Sequence, residues 1–106
     1  MRLMQIEPGA IGAWEIETFM SGAYRLSIPA DGRPSVVELA MPGEEQGAEA
    51  VGLLAWGRFD ELTGLGAGVV VGESMLLVLN QREASGDYTT RITTKVVHIL
   101  EDREVG

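Results

Sequence analysis

Glycine is what most constrains this chain. Fourteen glycines divide its 106 residues into short apolar or β-branched runs. Each interior glycine weakens a helix by roughly 1 kcal/mol relative to alanine, while the same residue supplies the positive φ that tight turns need. Runs this short, bounded by turn residues, read as strands. The first spans Arg2 to Glu7 and stops at Pro8-Gly9. The second, Trp14 to Met20 (WEIETFM), alternates bulky and charged residues. Ser21-Gly22 then turns the chain into Ala23–Pro29, where Tyr24, Leu26 and Ile28 share one face, so the two runs form a hairpin.

Ala30 to Pro34 is another turn, followed by a short apolar strand, Ser35 to Met41. The polar, acidic stretch Pro42–Glu49 (PGEEQGAE) reads as a loop. Ala50–Trp56 (AVGLLAW) is a nearly continuous apolar run, as expected of a strand covered on both sides. Arg58–Leu65 (RFDELTGL) is the best candidate for a short helix, with Phe59 and Leu62 on one face and Gly64 and Gly66 closing it. Val69–Leu79 and Tyr88–Leu100 read as two long strands joined by a polar loop, Asn80–Asp87, and Gly72 marks a bulge or sharp bend in the first. The expected architecture is all-β: a five-stranded OB-fold barrel with one short helix, residues 1–106 forming a single OB-fold domain.

Composition narrows the function classes. The chain has no cysteine, which excludes disulfides and thiolate metal sites and fits a reducing compartment. No apolar run reaches the ~18 residues of a membrane span, and the N-terminal residues lack the apolar core of a signal peptide. The expectation is a cytoplasmic protein with no membrane association. Catalysis finds little support. His98 is the one histidine, so no two-histidine metal site can form, and it reads as a structural or surface residue. Glu15 and Glu17 share a strand face that reads as solvated rather than as an acid–base pair. Ser74 and Ser85 lack the elbow of a nucleophile. Gly64 to Gly68 lacks the lysine and hydroxyl of a phosphate loop. The expectation is no enzyme, no cofactor and no metal.

Sixteen acidic and eight basic residues give a formal net charge of −8, a field that works against nucleic-acid binding in general. Local features point the other way. Seven of the eight cations are arginine, suited to planar and bidentate contacts. Trp56 and Arg58 lie two apart at the end of a strand and face the same way. In the closing strand Thr89, Arg91, Thr93 and Lys95 fall on one face, a cationic, hydrogen-bonding stripe if that face is open. The plainer reading is a solvent-facing strand in which threonine serves β-propensity.

Two stretches taken together, Leu53–Leu76 and Gly86–Arg103, resemble the single-stranded DNA-binding (SSB) proteins of bacteria. The likeness rests on the triplet Trp56-Gly57-Arg58 after an apolar strand, on Phe59-Asp60-Glu61-Leu62 in the place of a short helix, and on a returning strand that begins Tyr88-Thr89-Thr90. Glu17–Gly22 falls where that family has its first hairpin turn. The resemblance implies an OB-fold, assembled as a homodimer or homotetramer, that binds single-stranded DNA, ahead of RNA, in replication, repair or recombination. It places a stacking ring at Trp56 and a basic neighbour at Arg58; Tyr24 or Trp14 would add rings, and Arg25, Arg82, Arg91 and Lys95 would meet phosphates. The departures are as definite. The positions near Ala50 and Gln81 carry no aromatic, the loop between strands is acidic rather than basic, and Asp102–Gly106 resembles no acidic, phenylalanine-ended tail, so the expectation is a compact, acidic relative. The rival expectation is a protein-interaction or structural oligomer on the same fold that has lost nucleic-acid binding, with Trp56 in the core or at a subunit interface. A third is a small barrel enclosing an apolar ligand.

Overall fold

The computed structural model describes residues 2–39, 50–82 and 87–101, without the side chains of residues 81, 82 and 87. Its regular structure is entirely strand. In chain order these are β1 (Arg2–Leu3), β2 (Gln5–Ile6), β3 (Gly12–Thr18), β4 (Ala23–Ile28), β5 (Ser35–Leu39), β6 (Val51–Asp60), β7 (Gly64–Gly66), β8 (Val69–Val70), β9 (Ser74–Arg82) and β10 (Asp87–Glu101). The expected loop Pro42–Glu49 lies outside the described residues, as do residues 83–86 of the expected loop Asn80–Asp87, whose two ends are strand, in β9 and β10.

Each of β3, β4, β5, β6, β9 and β10 pairs antiparallel with the next of this set, and β10 returns to pair with β3. The pairings therefore run round in a ring, with β7 added to β6 and β1 to the far end of β10. Strands that follow one another in the chain tend to lie side by side, and apart from the closing β10–β3 pairing only β6–β9 in this ring steps over intervening strands. The all-β character is as expected.

The core follows from the alternation in the sequence. On β3, Trp14, Ile16 and Thr18 are buried, while Glu15 and Glu17 between them are not. On β9, Met75, Leu77 and Leu79 point inward and meet Ile6, Tyr24, Leu26, Val36, Leu53, Val69, Val96 and Ile99. Full burial of an aliphatic side chain contributes roughly 1.5–3 kcal/mol, so this cluster is the main source of stability.

The expected helix at Arg58–Leu65 is a hairpin instead. β6 runs on through Asp60, and Arg58, Phe59 and Asp60 pair with Gly66, Leu65 and Gly64 of β7. The Asp60 carboxylate accepts the backbone N–H groups of Leu62, at 2.8 Å, and Thr63, at 3.4 Å, a turn that competes directly with helix formation. Gly64, at φ +90°, completes the reversal. Two glycines and so short a length leave a helix marginal here, whereas the hairpin extends an existing ladder. Leu62, the expected partner of Phe59 on a helix face, stands 95% exposed at the tip. Gly72 forms the expected bend, at φ +97°, and it separates β8 from β9.

β10 serves two sets of partners. Its first half pairs with β9, its second half with β3 and β1, and the register slips between Ile92 and Lys95 and again between Val96 and His98. Across the slips burial falls on Thr93, Val96 and Ile99, every third residue rather than every second. The β3–β4 turn clamps this bend. Phe19 N–H donates to the Lys95 carbonyl, Met20 N–H to Thr94 Oγ1, and Thr94 N–H to Ser21 Oγ.

Candidate functional site

The register slip dissolves the expected Thr89–Arg91–Thr93–Lys95 stripe. Thr89 and Arg91 pair with Leu79 and Leu77, yet Thr89 is exposed there and Arg91 half-buried. Thr93 is 3% exposed, accepts Met75 N–H and donates to the Thr94 carbonyl. Lys95, beyond the slip, is exposed. On the other side of the strand Tyr88, Thr90 and Ile92 are all exposed.

The remaining sequence-predicted residues do not gather on one surface. Trp56 is opposite Leu77, partly buried and packed against the core. It does face the same way as Arg58, the side of the sheet that Leu77 and Met75 share with the core. Tyr24 is 2% exposed and its hydroxyl donates to the Ser21 carbonyl, so it offers no open ring face; Trp14 is also buried. Arg25 lies directly across from Glu15 on β3, an opposite-charge pair that favours this register. Arg91 donates to Glu38 on β5. Its hydrogen bond to Tyr24, and after that the Glu38 charge, push its pKa above the ordinary arginine value against the effect of burial. Arg91 thus ties the first half of β10 to β4 and β5. The Arg82 side chain is outside the described residues. Arg58 and Lys95 alone of the set line a common cleft.

That cleft, of about 360 Å³, opens among Arg58, Phe59, Asp60, Glu61, Glu73 and Lys95. Arg58 reaches Glu73 at 3.5 Å, and its stem lies across Gly66, where an added Cβ would stand 2.7 Å from Arg58 Nε. Its Nε is buried and makes no hydrogen bond. The two amides of the β6–β7 turn, Leu62 first and then Thr63, hold the Asp60 carboxyl below the usual carboxylate range. Next to the cleft, sharing Gly72 and Lys95 with it, is an apolar groove of about 420 Å³ walled by Phe19, Val71, Val96 and Val97. Phe19, 71% exposed, is the ring that sequence reasoning missed. Its signal was its place just before the Ser21-Gly22 turn, where alternation no longer decides which side a residue faces.

The outer side of the β6–β9–β10 sheet is a second candidate surface. Across it run the rows Gly57–Leu76–Ile92 and Ala55–Val78–Thr90. Leu65 of β7 approaches Gly57, where an added Cβ would lie 3.0 Å from Leu65 Cδ1 and 2.1 Å from the Gly66 carbonyl oxygen. Leu54, Leu65, Tyr88 and Ile92 are all exposed. None of the positions in these rows carries a charge.

His98 is half-buried opposite Glu17, and Ser74 lines the cleft without a histidine beside it. Among the described residues, no three histidine, aspartate or glutamate side chains gather as a metal site requires, and no helix is long and apolar enough to cross a membrane. Compared with protein-family models, curated proteins and solved structures, the chain matches none.

Proposed function

We propose that this chain is a non-catalytic protein-interaction module, a small β-barrel that assembles with a second copy of itself through the outer face of β6, β9 and β10. The observation that carries the reading is the uncharged, apolar character of that face. Each copy has a net charge of −8, so contact through most of the surface would press like charges together. Exposed Ile92, Leu65 and Tyr88, set around half-buried Val78, let two copies meet without that penalty. Exposed apolar side chains grouped in this way are characteristic of interaction surfaces. A two-fold contact between identical sheets needs only one such face. Light scattering tests it. A dimer or larger assembly is expected for the native chain and a monomer for Ile92→Glu; a native monomer at high concentration would overturn the reading.

A second reading, single-stranded nucleic-acid binding by an OB-type barrel, is the function implied by the resemblance to SSB proteins. One observation favours it: Phe19 presents an exposed ring beside exposed Lys95, the pairing of flat surface and cation that unstacked bases use. Titration of labelled oligo-dT at low salt decides it. Binding that weakens as salt rises and is lost in Phe19→Ala would put this reading first.

A further inference from the structure

We propose that the groove running from Phe19 across Gly72 and Lys95 to Asp60 and Glu61 docks a partner protein through a segment that carries an apolar side chain followed by basic ones. The inference rests on the interaction reading but uses a different surface from the one assigned to self-assembly.

Three observations carry it. First, the apolar groove and the polar cleft are contiguous, since Gly72 and Lys95 border both. Gly72 leaves the passage open, because a Cβ placed there would meet nothing within 4 Å. Second, the apolar wall is preorganised. The backbone of the Phe19 turn is held by hydrogen bonds from Phe19 and Met20 to Lys95 and Thr94, so an incoming side chain finds Phe19 beside Val71 and Val97 without reordering the turn. Third, the charges are arranged in sequence. Glu73 is met by Arg58, whose charge also reaches Asp60, and Asp60 with Glu61 forms the acidic end of the cleft. The turn amides of Leu62 and Thr63 hold the Asp60 carboxylate in place at that end. Lys95, at the boundary, is placed to donate to a main-chain carbonyl of a segment crossing it. The overall charge of −8 steers a basic segment inward and a polyanion away.

The probes are three labelled peptides: Gly-Phe-Gly-Arg-Arg-Gly, the same peptide with glutamates for arginines, and the same peptide with alanine for phenylalanine. Amide NMR spectra of the Ile92→Glu chain, whose groove is unaltered, read binding independently of self-assembly. The first peptide is expected to shift the Phe19, Gly72 and Lys95 resonances at concentrations up to about 1 mM, the weak range suited to a short segment. Phe19→Ala, and Asp60→Asn with Glu61→Gln, should each weaken it by about tenfold. Asn at position 60 retains the turn acceptor, so a loss there reports charge rather than unfolding. Equal binding of the glutamate or alanine peptide, or no shift by the first peptide, would overturn the proposal. So would oligo-dT moving the same resonances, which would assign the groove to nucleic acid. If the groove peptide binds and the native chain proves monomeric, the docking site stands and self-assembly falls; the reverse outcome separates them equally.

Discussion

Thr93 carries the clearest consequence of a single side chain. In the sequence it belongs to a period-two stripe; in the fold its hydroxyl accepts the Met75 amide where β10 and β9 lose register. Thr93→Val keeps the shape and strands a buried N–H, at a cost of about 1–3 kcal/mol. Thr93→Ser keeps the acceptor and should cost less. Urea unfolding midpoints of the two variants test the difference, and equal losses would mean that the methyl group matters more than the hydroxyl. The glycines on either strand of the β6–β7 hairpin make a similar contrast. Gly57→Ala drives a Cβ into the Gly66 carbonyl, which is backbone and cannot yield, so it should destabilise by about 1–3 kcal/mol. At Gly66→Ala the nearest atoms belong to the Arg58 side chain, which can swing aside, so its effect should be smaller and should appear as a displaced Arg58.

At the scale of the element, the β6–β7 hairpin depends on a carboxylate. The turn amides favour the ionised form of Asp60, so its folded pKa lies below the unfolded one. Such a group contributes stability above its unfolded pKa and loses it as pH falls through the folded value. The window therefore lies below about pH 4, the ordinary aspartate range. Asp60→Asn keeps an oxygen to accept the Leu62 and Thr63 amides and removes the titration. Thermal unfolding should converge for the two proteins in acid and diverge modestly near neutrality, in favour of the native chain; divergence that grows as pH falls would contradict the sign. The same hairpin explains why the helix expectation failed. Phe59 and Leu62 at helical spacing is a real pattern, but a partner for Leu62 is a tertiary matter, and the fold supplies none. Asp60 and Gly64 were the local clues in favour of a turn.

For the whole molecule, charge and the ring of pairings act together. The ring joins Trp14 to Glu101, and β1 adds Leu3 to Ile99, contacts distant in sequence that slow folding relative to a helical chain of this size. Self-assembly of a chain with a net charge of −8 should strengthen as salt rises from about 20 to 300 mM, because screening removes repulsion while apolar contact remains. Sedimentation across that range tests it, and a weakening with salt would point to ion pairs at the interface instead. Ile92→Glu should reduce the assembly by tenfold or more, since it buries a charge against its own copy.

Much of the architecture was legible in the sequence for a physical reason: alternation and glycine act within a few residues. Strand positions, the Ser21-Gly22 turn, the Gly72 bend and the inward Tyr24–Leu26 face all follow from local sterics and period-two burial. Which face of β10 meets solvent did not follow. A single register slip reverses the meaning of every later residue, and the slip exists because β10 must leave β9 and join β3. Likewise the sequence placed Trp56 and Arg58 side by side, but only closure of the sheet decided that they point inward, and only the clamp of the Phe19 turn on Lys95 brought an unremarked ring to the surface. Side-chain identity and local geometry are properties of the chain; which side is inside is a property of the closed sheet.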